Sequence, residues 1–141
     1  MTLDHQIFTR WPAQYPDRLQ LFSAPTPYGV KVGIMLEEIS LAYEPHRIDI
    51  MADESHDPAF LALNPNGKIP AIYDPDGPSG TPLALFESGA ILLYLADKTG
   101  QYLGRSEHPR RNDPVGDVAD GRSRADVRPG RLLQQIRRQG L

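Results

Sequence analysis

The chain contains no cysteine. That excludes a disulfide framework, a thiolate metal site and a protein thiol nucleophile. Any thiol chemistry here would need a thiol carried in by a ligand. Long apolar runs are also missing, and no stretch reaches the roughly 18 consecutive apolar residues of a membrane span. Charge of either sign is in little excess: the formal net charge of -3 gives no pull toward nucleic acid or an anionic membrane. Histidine is sparse. His5, His46, His56 and His108 are scattered, no pair has helical ligand spacing, and no metal site is expected. The first 18 residues, MTLDHQIFTRWPAQYPDR, carry an early acid, no apolar core and no small-residue cleavage site. They do not read as a signal peptide.

What is present is enough for one domain. At 141 residues the chain can bury a core of ordinary size. Residues 1–18 read as a polar arm with two prolines and Trp11, draped over that domain. Residues 19–103 hold nearly all of the periodic apolar pattern. The composition then shifts near residue 104. Residues 104–141 have no Phe, Tyr, Trp, Met or Lys, yet carry nine of the twelve arginines.

Residues 19–23, LQLFS, alternate as a strand does. APTPYG follows as a proline-punctuated turn. Val32, Met35, Leu36 and Ile39 recur at helical spacing, which predicts a helix over 29–39. A second strand is predicted over 42–50. Asp57 before Pro58 is a cap-and-first-turn signal for a short helix over 57–63. NPNG is a turn, residues 71–74 a third strand, DPDGPSGT a tight turn region and residues 83–86 a fourth strand. Ser88 reads as the N-cap of a last helix over 89–98. That helix is apolar nearly all round and so expected to be buried, with Gly100 beyond its end. The order βαβ then αββα predicts a small mixed sheet with helices on both faces and a right-handed parallel crossover in the first half. Pro70 stands at the mouth of the third strand. On physical grounds alone a trans proline at a strand edge accounts for it.

Three stretches go further: LQLFSAPTPYGVKVGIMLEE, LNPNGKIPAIYDPDGP and PLALFESGAILLYLADKTGQYL, together covering about residues 17–103. In this order they resemble the N-terminal domain of cytosolic glutathione transferases. The similarity is greatest to the branch with the bacterial nu-class enzymes and the globular part of the yeast nitrogen-regulator prion protein. The resemblance implies an α/β, thioredoxin-like fold in which the bond before Pro70 is cis, the one peptide type for which cis costs little. It implies a cytoplasmic protein that binds the thiol peptide glutathione as co-substrate, with no metal, nucleic acid or membrane as partner. Thiol transfer to electrophiles or glutathione-dependent disulfide reduction would be its chemistry.

The same resemblance suggests roles residue by residue. Ile69, before the cis Pro70, would offer its backbone N–H and C=O to the cysteinyl part of glutathione. Glu87 would accept from the γ-glutamyl ammonium. Ser88, with its N–H at a helix start, would hold the γ-glutamyl carboxylate. Lys68 would lie near the glycyl carboxylate. Thr26 would donate its hydroxyl to the sulfur, favouring thiolate. Plain alternatives stand beside these: a turn threonine, a solvated Glu87, a solvated Lys68, an ordinary N-cap at Ser88. Position 28 departs from the pattern, because nu-class relatives usually carry Asn where this chain has Tyr28. Tyr28 either donates to the thiolate or covers the cleft, and nu-class disulfide reductase activity is the property this departure bears on. In the loop before Asp57, Ser55 is the nearest match to a Gln that relatives place near the glycyl end.

The family continues into a helical second domain that supplies the co-substrate half of the site. Residues 104–141, GRSEHPRRNDPVGDVADGRSRADVRPGRLLQQIRRQGL, do not resemble it beyond a short linker. A disordered tail is the plain expectation. A basic nucleic-acid arm fits poorly, given no aromatics and four interleaved aspartates. The codons of RRNDPVGDVADG, shifted by one base, permit an apolar, tryptophan-containing helical string, which points to a frameshifted or truncated product. Intact relatives form homodimers; a stable dimer is not expected of a chain without the second domain. Low or no turnover follows, with a non-catalytic thioredoxin-fold binding module or an inactive product as the alternative reading.

Overall fold

The computed structural model describes residues 3–103. The chain divides into two units, Met1–Gln101 and Tyr102–Leu141, and only Tyr102 and Leu103 of the second are described. The linker, frameshift and disorder readings therefore lie outside the described residues.

Four strands, β1 (Leu19–Ser23), β2 (Tyr43–Arg47), β3 (Ala71–Asp74) and β4 (Leu83–Phe86), form one sheet in the order β2-β1-β3-β4. β2 runs parallel to β1, while β3 is antiparallel to both β1 and β4. Helices α1 (Gly29–Glu38), α2 (Pro58–Leu63) and α3 (Ser88–Thr99) complete the βαβ-αββα order. This is the thioredoxin-like arrangement, and the Ile69–Pro70 peptide is cis.

Strand alternation decides which helix packs where, because successive side chains point to opposite faces. Leu19 and Leu21 of β1 and Ile72 of β3 face one side. There they meet Val32 and Leu36 from α1, Ile39 at its C-cap, and Ile91 and Leu95 from α3. Phe22, Ala71 and Tyr73 face the other side, against Phe60 and Leu63 of α2. Ile7, in a 3₁₀ turn at Gln6–Thr9, is fully buried in that second cluster, with Phe8 and Trp11 packed around it. The arm is thus apolar where it meets α2.

Two local expectations are corrected. α3 is not buried all round: Ile91, Leu95 and Ala96 are inside, whereas Leu93 is 65% exposed. β2 is shorter than expected, ending at Arg47. Ile48 remains buried and donates its N–H to the Ser23 carbonyl at 2.8 Å. Among the described residues no helix is long and apolar enough to cross a membrane, and no group of three or more metal-ligating side chains is present.

Candidate functional site

The open ends of β1 and β3, the start of α1 and the start of α3 converge on a cleft of about 570 Å³. All seven residues singled out from the sequence line it: Thr26, Tyr28, Lys68, Ile69, Pro70, Glu87 and Ser88. They come from three separated stretches of chain that only the fold brings together.

Thr26 sits where β1 turns into α1. Its hydroxyl oxygen accepts from the Gly29 N–H at 3.1 Å, and its carbonyl accepts from the Val30 N–H at 3.0 Å. The side chain therefore ties the turn that leads into α1 through an oxygen lone pair, which leaves the hydroxyl proton for another acceptor. The turn is tight. A Cβ at Gly29 would lie 2.1 Å from the Ala24 carbonyl oxygen, so a glycine is required there. Tyr28 is 65% exposed at the cleft mouth, with the Lys31 ammonium 4.8 Å from its ring centroid.

The opposite wall is the turn Asn64–Lys68 leading into Ile69 and Pro70. Asn64 is 1% exposed, and its side chain organises this turn. Nδ2 donates to the Lys68 carbonyl at 2.6 Å, and Oδ1 accepts from the Asn66 N–H at 3.0 Å. Gly67, at φ 62°, packs against the His56 ring; a Cβ there would lie 2.7 Å from His56 Cδ2. Neither the N–H nor the carbonyl of Ile69 takes part in the turn's bonds or the sheet's register among the described residues. Both stay available to an extended peptide.

The third wall is the β4–α3 junction. Ser88 is the first residue of α3 and not its N-cap, which corrects the expectation. Glu87 occupies the cap position, at φ 71° and ψ 114°, without a side-chain cap bond. Its carbonyl accepts from the Ile91 N–H at 2.9 Å, opening the helix, while its side chain remains exposed. A non-glycine residue at such a φ is backbone strain, which is concentrated at ligand clamps. The amides of α3's first turn present the positive end of the helix dipole here.

Sequence reasoning passed over Asn64 and Gly67 as individual residues of consequence, reading them only as part of a turn. Both line the cleft. Ser55 and Ile50, from the segment after β2, line it too, and Ser55 is only 7% exposed.

Over residues 26–98 the chain matches a family model described as glutathione S-transferase, N-terminal domain. Disulfide-bond oxidoreductase YfcG of Escherichia coli is 48% identical over 95 residues, covering 65% of this chain and 43% of that protein. Protein URE2 of Eremothecium gossypii is 44% identical over 72 residues, covering 51% of this chain and 20% of that protein. A crystal structure of a glutathione transferase from Pseudomonas putida, with one glutathione disulfide bound per subunit, superposes with a TM-score of 0.73 at 57% identity. It covers 75% of this chain and 46% of that one. The chain spans less than half the length of each of these relatives.

Proposed function

The chain belongs to the glutathione S-transferase family through its N-terminal domain, and from that premise we propose that its cleft binds glutathione and favours the thiolate. One observation carries this reading. The backbone acceptor and donor of Ile69, the carboxylate of Glu87, the helix start at Ser88 and the hydroxyl of Thr26 all line one cleft. These are the partners that a short peptide with an ammonium, a carboxylate and a thiol requires.

In this reading Ile69 pairs with the cysteinyl backbone in an extended, strand-like contact beside β3. Glu87 accepts from the γ-glutamyl ammonium, and the Ser88 hydroxyl and the first α3 amides hold the γ-glutamyl carboxylate. Lys68 faces the glycyl carboxylate. The Thr26 hydroxyl, its oxygen already engaged by Gly29, donates its proton to the sulfur. Together with the α1 dipole this lowers the thiol pKa. The thiolate then attacks an electrophile or one sulfur of a disulfide. In the latter case a mixed disulfide forms and the other sulfur leaves as thiolate. With no protein cysteine, the attacking sulfur is always the ligand's.

The test is titration calorimetry of the full chain with reduced glutathione, repeated with Glu87→Ala. Saturable binding that the variant weakens at least tenfold is the expected result. Equal binding by both proteins would remove Glu87 from the site. A second reading, a binding module without turnover, is favoured by Tyr28, whose exposed ring stands at the cleft mouth beside Thr26. Turnover of a glutathione mixed disulfide separates the two: binding without turnover selects the module.

A further inference from the structure

We propose that Arg10, which does not touch the cleft, is a positioning residue that fixes one cleft wall from behind; as a statement about ligand affinity this rests on the glutathione reading above. Arg10 lies in the N-terminal arm, outside the residues matched by the family model. Its Nη2 donates to Glu54 Oε1 at 3.0 Å, and its Nε lies 3.4 Å from Asp57 Oδ2. The guanidinium also sits 5.2 Å from the Trp11 ring centroid. Trp11 in turn packs edge-on against Phe22 and Phe60 of the core. One cation thus bridges two carboxylates while anchored to a core aromatic, a geometry that the planar, forked guanidinium suits.

Both carboxylates have second tasks. Glu54 Oε2 accepts from the Asp49 N–H at 2.7 Å, and Asp57 Oδ1 accepts from the Ala59 N–H at 2.8 Å, capping α2. Asp49 Oδ1 accepts from the amides of Met51 at 3.0 Å and Ala52 at 3.2 Å. The segment from Asp49 to Asp57 is therefore folded around its own carboxylates. Arg10 is the cation that holds two of those carboxylates against the arm. This same segment contributes Ile50 and Ser55 to the cleft. A shift of the segment displaces the wall that faces the peptide ligand.

The arm is itself held at a second point. Glu44 of β2, 8% exposed, accepts from the amides of Gln14 at 2.9 Å and Tyr15 at 2.7 Å. Between the buried Ile7 and these two bonds, Arg10 has little freedom to follow the segment if it moves. It acts as a fixed post.

The experiment compares the full-length wild type, Arg10→Ala, Arg10→Lys and Glu54→Gln. Three readouts are taken: amide hydrogen exchange without ligand, urea unfolding, and glutathione titration. Glu54→Gln keeps an acceptor for Asp49 but removes the ion pair, so it guards against a folding defect in Arg10→Ala. Expected are faster exchange at Asp49, Met51 and Ala52 in Arg10→Ala and Glu54→Gln, with strand amides of β1 and β3 unchanged. Glutathione affinity is expected to fall roughly two- to fivefold, as for a partly exposed ion pair, with partial recovery in Arg10→Lys. Unchanged exchange at the three amides in both variants overturns the proposal, as does faster exchange with unaltered affinity. If wild type itself fails to bind glutathione, the functional reading falls separately. The exchange comparison then still decides whether Arg10 fixes the segment.

Discussion

The amide nitrogen of Asn64 donates to the carbonyl of Lys68 at 2.6 Å, across the turn that delivers Ile69 and Pro70 to the cleft. Asn64 is almost wholly buried, whereas Lys68 and Asn66, which it joins, are exposed residues. Replacing Asn64 by Ala leaves the Lys68 carbonyl and the Asn66 N–H without these partners. Each lost bond costs on the order of 0.5–1.5 kcal/mol. Asn64→Ala is expected to lower the unfolding free energy by about 2 kcal/mol in urea titration. It is also expected to weaken glutathione binding beyond what the lost stability explains, because Ile69 loses its fixed direction. Affinity equal to wild type under fully folded conditions would show that the turn holds its shape without the side chain.

Thr26 carries two functions on one oxygen, and substitutions separate them. Thr26→Val deletes both the hydrogen bond from Gly29 and the proton offered to sulfur. Thr26→Ser keeps both. Loss of such a hydrogen bond costs about 1 kcal/mol. Thr26→Val is expected to lose about that much stability, and the pH at which bound glutathione ionises should rise. The ultraviolet absorbance of the thiolate, followed through a pH titration of the complex, reads this directly. Thr26→Ser should restore both properties. A valine variant whose bound thiol ionises as in wild type would transfer thiol activation to the helix dipole or to Tyr28.

Glu87 sits at φ 71°, where glycine is at ease and glutamate is strained. Glu87→Gly is expected to raise stability by about 1 kcal/mol while glutathione affinity falls, since the carboxylate is removed with the strain. Opposite movement of the unfolding midpoint and the affinity is the informative outcome. If the glycine variant is less stable than wild type, the strain at Glu87 is smaller than the backbone entropy that glycine adds to the unfolded chain.

Much of this was legible in the sequence because local signals and global fold agree. The alternation of Leu19, Leu21 and Phe22, the spacing of Val32, Leu36 and Ile39, and Asp57 before Pro58 each placed an element close to where it lies. The cleft residues were reached differently. Thr26, Ile69 and Glu87 have no periodicity, and a resemblance of three stretches nominated them. What was not legible depends on distant partners. Ile7 reads as one apolar residue in a polar arm, and only α2 and β3 show it to be core. Asn64 reads as a turn former, and its burial depends on how the turn folds back. Arg10 and Glu54 lie 44 positions apart, and nothing local links them. Continuous apolar composition predicts burial of α3 without saying which neighbour supplies it, and Leu93 stays exposed.

Acid sensitivity should come from His46. Its ring stacks on Phe22 at 4.5 Å between centroids, and its Nε2 lies 2.7 Å from Gln20 Oε1. Gln20 Nε2 donates to the carbonyls of Tyr15 and Arg18, so Gln20 Oε1 is the acceptor and His46 Nε2 carries the proton. Burial pushes the His46 pKa below its ordinary 6.5, opposed by the Glu44 carboxylate 3.9 Å away. His5 is lowered too, mainly by burial, and its Nδ1 accepts from the Ile7 N–H, which requires the unprotonated ring. In both cases the unfolded chain takes up a proton at a pH where the folded chain does not. Stability is therefore fully present above 6.5 and falls as the pH drops below it. Glu44 adds to the same trend at lower pH. Burial pushes its pKa up, but the Gln14 and Tyr15 amides, together with His46 and Gln20, outweigh this and hold it below 4.5, so its contribution is lost last. Urea midpoints should decline from about pH 7.5 to about pH 5.5. The decline should be shallower in His46→Gln, whose amide still donates to Gln20 without titrating. Parallel slopes in wild type and variant would leave His5 as the source of the effect.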